Sequence, residues 1–446
     1  LDTDWKLGLI GRNGRGKTTL LKLLTGEYEY QGSITAPVEF GYFPYPIPDE
    51  TMITQDLAEQ LRPGLPFWQV KKELSLLDLG EEVLYRPFDT LSNGERTKTL
   101  LALLFLGENR FLLIDEPTNH LDQQAREAVG RYLNRKKGFV LVSHDRSLLD
   151  SCVDHILSIN KTSLQIQQGN FSSWWQNKEY RDHFERLENE KLKKEIGRLA
   201  QSAKRTAGWS DDVEKTKYAT RNAGLRPDRG YIGHKSAKMM QRAKATEERK
   251  LRALEEKSKL LKDLERTDDI VLKAEPFRTS RLANFVSVSP VYDGKRVCEP
   301  VSFSIERGER IALCGKNGTG KTSLLKLLLR EPLSHSGQLT LASGLTVSYV
   351  PQDTSFLKGD LRTFARENCV DEGLFKSMLD KLDFSQSHFG KDLADFSSGQ
   401  KKKVLLAKSL CERANLYIWD EPLNFVDVFS RIQLERLIQR FQPTLL

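Results

Sequence analysis

The chain has 446 residues, enough for two or three domains that each bury a core of their own. Its longest apolar runs, such as residues 100–106, fall far short of a bilayer span, which excludes a membrane-crossing helix. Five cysteines, scattered and without C-x-x-C spacing, argue against a disulfide framework or zinc site and suit a reducing cytoplasm. The net charge of +8 is concentrated: residues 191–250 hold 17 Lys and Arg against 7 Asp and Glu, leaving the remainder slightly acidic.

In chain order, the apolar residues 7–10 predict a strand and residues 19–24 a helix. Between them residues 11–18 read G-R-N-G-R-G-K-T. Glycines at Gly11, Gly14 and Gly16 let backbone N–H groups close around a triphosphate at a helix N-terminus, where unpaired donors and the helix dipole favour an anion. Asn13 and Thr19 flank that cradle. Lys17 is placed to reach the β- and γ-phosphates of ATP, and Thr18 to hold Mg²⁺. From there to about residue 172, short apolar strands alternate with helical stretches, the pattern of a parallel sheet covered by helices. The clearest strands are residues 111–114 and 139–142, each followed by polar residues at the edge where open α/β sheets bind ligands. Asp115 and Glu116 end the first, and His144 follows the second. Ahead of them, residues 91–95 read L-S-N-G-E, with Ser92 and Gly94.

Residues 173–273 differ in character. Phe184, Leu187, Leu192, Ile196 and Leu199 predict one long amphipathic helix, and Leu251, Leu254, Leu261 and Leu264 a second with near-heptad spacing. Residues 208–234, rich in Gly, Arg, Lys and Asp, break the period, so the segment is expected to be an antiparallel hairpin with an extended tip. A solvated spacer would also be charged, but gives no reason for positive charge to gather at its far end.

From residue 274 the first pattern returns. Residues 315–322 read G-K-N-G-T-G-K-T, residues 396–400 F-S-S-G-Q, and residues 419–427 W-D-E-P-L-N-F-V-D. Lys321 follows Lys17 by 304 residues, while Ser397 follows Ser92 and Asp420 follows Asp115 by 305. Three motifs keeping register within one residue indicate a duplication. Among the differences between the copies, the second has Gln352 in Y-V-P-Q where the first has Tyr45 in Y-F-P-Y.

A phosphate loop, an S-x-G-[EQ] signature and an Asp-Glu strand end, in that order and twice, resemble the paired nucleotide-binding cassettes of the ATP-binding cassette superfamily. The resemblance implies an α/β fold of two ABC-type nucleotide-binding domains, with the P-loop NTPase fold, joined by a long α-helical hairpin linker. The expected bounds are 1–172, 173–273 and 274–446, with both ends of the chain expected to be incomplete, the second switch histidine included. It further implies head-to-tail pairing within a monomer. Lys17, Thr18, Asp115 and Glu116 would share one ATP with Ser397 and Gly399. Gly315, Asn317, Gly318, Gly320, Lys321, Thr322, Ser323, Asp420 and Glu421 would share another with Ser92 and Gly94.

Carried over residue by residue, Glu116 and Glu421 would activate water, and His144 would act as the switch histidine. Asp115, Asp420, Gln352, Thr18 and Thr322 would hold Mg²⁺, and Tyr292 would face adenine, although an ordinary strand-edge tyrosine would look the same. Tyr45 has no amide oxygen for metal or water, so the first site is expected to be slower or to serve mainly in holding the halves shut. Two cassettes joined by a charged hairpin resemble the ABC-F family, and the segments at 232–240 and 419–427 resemble its Lsa-type antibiotic-resistance members. That implies a cytoplasmic, ribosome-associated ATPase that binds neither membrane nor DNA. It would sit in the ribosomal exit site and reach along the P-site tRNA to large-subunit rRNA, displacing lincosamide, streptogramin A and pleuromutilin drugs. Contacts with RNA are expected from Lys215, Lys217, Arg221, Arg226, Arg229, Tyr231, Lys235 and Lys238. A housekeeping ABC-F translation factor and the ATPase subunit of a drug exporter are the alternatives.

Overall fold

The structure is a computed structural model that describes residues 2–106, 110–119, 121–160, 163–216, 249, 272, 274–384 and 388–446. It divides into two compact units, Leu1–Trp174 with Thr267–Leu446, and Trp175–Arg266. Both nucleotide motif sets fall in the first.

In the first half, β1 (Lys6–Gly11), β2 (Glu39–Phe43), β3 (Arg110–Asp115), β4 (Phe139–Val142), β5 (His155–Ile159) and β6 (Leu164–Gln168) form one sheet in the order β2-β3-β4-β1-β5-β6. All neighbours are parallel except β5 and β6. Strands buried on both faces need continuous apolar runs. That is why β3 and β4 read F-L-L-I and F-V-L-V, with Leu7, Leu9, Leu113 and Val142 among the buried residues at the centre. Helix α1 (Lys17–Leu24) leaves the end of β1 through Gly16, whose φ of 82° only glycine adopts readily. Helices α2 (Thr54–Leu61) and α3 (Phe67–Leu76) precede α4 (Asn93–Leu104), and α5 (Gln123–Asn134) and α6 (Arg146–Cys152) flank β4.

In the second half, β7 (Arg281–Tyr292) pairs antiparallel with β8 (Lys295–Arg296), β9 (Val301–Glu306) and β10 (His335–Leu341), and β11 (Val347–Val350) pairs parallel with β12 (Leu416–Trp419). Helix α8 (Lys321–Leu328) carries the second phosphate loop's lysine. It inserts Leu324, Leu325, Leu327 and Leu328 into a core shared with Phe285 and Ile418. Helices α9 (Leu361–Glu367) and α10 (Glu372–Lys381) lead to α11 (Ser398–Cys411), and α12 (Val428–Phe441) follows β12. The strand expected before the second phosphate loop is not formed. Among the described residues, 311–316 carry no ladder, and Ile311 N–H donates to Leu445 O at 2.8 Å. In the first half the equivalent β1 is gripped by strands on both sides, and pairing on both sides is what regularises an apolar run into a strand.

Helix α7 (Phe171–Thr216) is 46 residues long and continuous, a span of roughly 70 Å at 1.5 Å per residue. It therefore runs eight residues past Gly208, where the tip was expected to begin. One glycine costs a helix about 1 kcal/mol and does not stop it when no proline follows within the turn. Lys215 lies in its last turn. The remainder of the expected tip, the return helix, and Lys217, Arg221, Arg226, Arg229, Tyr231, Lys235 and Lys238 lie outside the described residues.

Candidate nucleotide sites

Each phosphate loop is pre-shaped by its own lysine. Lys17 Nζ donates to Gly11 O at 2.8 Å and Arg12 O at 3.3 Å, and Lys321 Nζ donates to Gly315 O and Lys316 O, both at 2.9 Å. The loops owe their curvature to the same left-handed glycines in both copies, with φ of 77° at Gly14 and 79° at Gly318, and 82° at Gly16 and 84° at Gly320. Thr18 Oγ1 donates to Asp115 Oδ2 at 2.7 Å, and Thr322 Oγ1 to Asp420 Oδ2 at 2.8 Å.

The signatures turn out to be helix caps. Ser92 and Ser397 precede α4 and α11, and each forms a reciprocal capping box with the residue three positions on: Glu95 N–H donates to Ser92 Oγ and Gln400 N–H to Ser397 Oγ, both at 3.3 Å. S-x-G-[EQ] is thus also S-x-x-[EQ], a helix-start signal legible in the sequence. It aims a helix N-terminus at the space in front of it.

The spaces they face are built from both halves. A cleft of about 460 Å³ is lined by Lys17, Thr18, Thr19, Asp115, Glu116 and His144 from the first half and by Ser397 and Gly399 from the second; Asn13, Gly14 and Gly16 also border it. A second cleft, of about 400 Å³, joins Lys321, Thr322, Ser323, Gln352 and Glu421, with Asn317, Gly318 and Gly320, to Asn93, the residue between Ser92 and Gly94. The first set expected to share a nucleotide is therefore brought together, whereas in the second Asn93 stands at the cleft and Ser92 and Gly94 do not line it. Tyr292 stands beside the second phosphate loop, its hydroxyl accepting from Ser323 Oγ at 3.4 Å, with its ring about half exposed.

A family model described as ABC transporter matches residues 1–119 and 298–424. The chain belongs to the ABC transporter family. The ribosome protection protein VmlR of Bacillus subtilis (strain 168) is 27% identical over 451 residues, covering 99% of this chain and 78% of VmlR. The probable ATP-binding protein YheS of Escherichia coli (strain K12) is 28% identical, covering 99% of this chain and 71% of YheS. A crystal structure of the archaeal ribosome recycling factor aABCE1 with the stalk protein aP1 shares the fold. It has a TM-score of 0.59 and 20% identity, over 98% of this chain and 77% of that one. Paired cassettes of this family make the protein an ATPase.

The two ABC sites are not equivalent. In the second, Gln352 Nε2 donates to Glu421 Oε2 at 2.8 Å, and Asn424 Nδ2 donates to the same oxygen at 2.7 Å. In the first, Tyr45 is turned away and its hydroxyl donates to Leu100 O at 3.1 Å, while Tyr42 OH donates to Asp115 Oδ2 at 3.3 Å. Both glutamates occupy left-handed backbone, with φ of 51° at Glu116 and 46° at Glu421, a strained placement that projects each carboxylate beyond its strand end. Burial pushes the Glu116 carboxyl up to about 7, against the pull of Lys17. His144 Nε2 lies 3.2 Å from Glu116 Oε1 without the alignment of a hydrogen bond. Burial holds that imidazole well below its usual range, so it is neutral. Lys17 is also lowered by burial, against the opposing pull of Glu116, Asp427 and Asp115.

The metal-side groups are hydroxyl and carboxylate oxygens, a hard donor set that fits Mg²⁺. Thr18 with Asp115, and Thr322 with Asp420 and Gln352, would hold it; bound there, it would neutralise charge on the phosphates.

Sequence reasoning missed the group that seals the first cleft. Asn13 Nδ2 donates across the halves to Phe425 O at 3.2 Å. Arg12 pairs with Asp383 at 2.9 Å and lies over the Phe429 ring. Asp427, fully buried, pairs with Lys403 at 2.6 Å and caps α12 by accepting from Ser430 N–H at 3.0 Å. A signal existed: Asp122 and Asp427 each follow the strand-end aspartate by seven residues, and each caps the next helix.

Proposed function

We propose that this ATPase is an ABC-F protein and a cytoplasmic ribosome protection factor. The observation that carries the reading is the likeness to VmlR across 99% of this chain, linker included. In this reading ATP closes both composite clefts, because each nucleotide must be gripped by a phosphate loop from one half and a capped helix N-terminus from the other. Closure sets the basic arm on large-subunit rRNA and the P-site tRNA from the ribosomal exit site. The surplus of positive charge in residues 191–250 provides a salt-sensitive attraction to phosphate. The tip then displaces lincosamide, streptogramin A or pleuromutilin drugs from the peptidyl transferase centre. Glu116 and Glu421 orient the attacking water and take its proton, and hydrolysis releases the factor.

The test has two arms. The Glu116→Gln/Glu421→Gln double variant should co-sediment with ribosomes in ATP and not without it. Deletion of residues 217–234 should abolish drug resistance in cells while ATPase turnover persists. Ribosome binding together with resistance that survives the deletion would favour a housekeeping translation factor instead. Reduced drug accumulation with membrane association would favour an exporter subunit.

A further inference from the structure

Two arginines outside every motif named above occupy matching places. Arg126 and Arg431 are 305 residues apart, the same offset as the signatures and strand-end aspartates. Each sits one turn into the helix that follows a capping aspartate, Asp122 for α5 and Asp427 for α12. Each folds back in the same way: Arg126 Nε donates to Leu121 O at 3.0 Å, and Arg431 Nε to Val426 O at 2.9 Å. One donor is thus spent on fixing the side chain, and the two Nη groups are left directed elsewhere. Among the described residues no acceptor is hydrogen-bonded to the Nη atoms of either residue; the nearest carboxylate to Arg126 is Asp145, at 4.0 Å.

Stability does not account for the pair. A cation in the first turn of a helix opposes the helix dipole, which favours anions there, and this chain repeats that placement in both halves. Position does account for Arg126. Arg126 belongs to the first half but lines the 400 Å³ cleft beside Lys321, Thr322, Gln352 and Glu421, all of the second. Both arginines also border a groove of about 840 Å³ that reaches Lys321 and Glu421. Arg431, its counterpart in the second half, does not line the cleft at Lys17.

We propose that Arg126 acts across the halves, donating its Nη groups to the γ-phosphate of ATP held by Lys321. A planar, permanently charged guanidinium matches two phosphate oxygens at once. It stabilises the charge spread over the transferring phosphoryl in its loose transition state. The anchored Nε means that little reorganisation is needed when the halves close. The Lys321 site then draws on the second half for its lysine and on the first half for a helix N-terminus and an arginine.

The experiment crosses Arg126 with single-site backgrounds of the full chain. Glu116→Gln leaves hydrolysis to the Lys321 site, and Glu421→Gln leaves it to the Lys17 site; Lys17→Ala and Lys321→Ala provide an independent pair of backgrounds. Arg126→Gln should lower kcat at least tenfold further when only the Lys321 site works than when only the Lys17 site works. The KM for ATP should move less than about threefold, and Arg126→Lys should recover part of the loss. Thermal unfolding of each variant separates misfolding from a catalytic effect, and Arg126→Lys carries the test if the Gln variant is unstable. Equal losses in both backgrounds, a larger loss at the site of the arginine's own half, a loss confined to KM, or no loss would overturn the proposal.

Discussion

Replacing Gly399 by alanine isolates the seal of the first site. A Cβ there would lie 2.4 Å from Phe425 O and 3.0 Å from Asn13 Nδ2, so the carbonyl must retreat by close to an ångström to reach ordinary contact. Phe425 cannot do so freely, since it already holds a left-handed φ of 62° between the strand-end Asp420 and the buried Asp427. Overpacking of this kind costs about 1–3 kcal/mol, and losing the Asn13 to Phe425 hydrogen bond accounts for about 1 kcal/mol of that penalty or adds to it. In the Glu421→Gln background, kcat/KM for ATP at the Lys17 site should fall roughly 10- to 100-fold.

Gly94 supplies an internal control. A Cβ there meets only Leu121 Cδ2, at an ordinary 3.7 Å, so Gly94→Ala should change kcat/KM at the other site by about threefold or less. Asn13→Ala alone should cost about fivefold. Combined with Gly399→Ala it should add almost nothing, because both break the same bridge. Full additivity in that double-mutant cycle, or equal losses from Gly94→Ala and Gly399→Ala, would refute the seal.

With Glu421→Gln silencing the second site, turnover should rise as pH climbs through about 7, because Glu116 must shed the proton that burial helps it keep. The same raised carboxyl makes the folded state hold a proton that the unfolded chain has lost, so its contribution to stability falls as pH rises from about 4.5 to about 7. A flat profile between pH 5.5 and 8 would contradict both statements. Asp427→Ala leaves the Lys403 ammonium buried without its carboxylate and should cost about 3–5 kcal/mol in urea unfolding, with Lys403→Met in the same chain recovering most of it. Lys403 and the Ser430 N–H hold the Asp427 carboxyl far below its usual range, despite a burial that acts the other way. Its stabilisation is therefore complete above about pH 3.8 and is lost as pH falls below that value, which acid unfolding of the two variants should register. Tyr42→Phe removes a 3.3 Å hydrogen bond to Asp115 and should raise the Mg²⁺ concentration for half-maximal ATP binding at the Lys17 site about two- to fivefold; no change would mean that Thr18 alone positions that carboxylate.

Much of the candidate site was legible because its determinants are local. A glycine-rich turn between a strand and a helix shapes a phosphate cradle wherever it occurs, and a serine three residues ahead of Glu or Gln caps a helix. Reading each motif twice at one offset then fixed which lysine, aspartate and glutamate belong together. Local rules failed where a segment depends on its neighbours. The apolar residues 311–313 look like those of β1, yet lack flanking ladders to make them a strand. Gly208 looks like a breaker, yet lies inside an uninterrupted helix.

By itself, then, the order of residues determined that there are two cradles, two capped signature helices and a basic arm, since each follows from a short stretch of chain and its own hydrogen bonds. Only the tertiary structure decided how unequal the two sites are. Tyr45 swings out to Leu100, Tyr42 leans on Asp115, Gln352 instead meets Glu421, and Asn13 closes on a carbonyl 412 residues away. Burial and opposite charges gathered from both halves set the protonation of Glu116, His144 and Asp427, and such energies depend on distances through space that no spacing along the chain encodes.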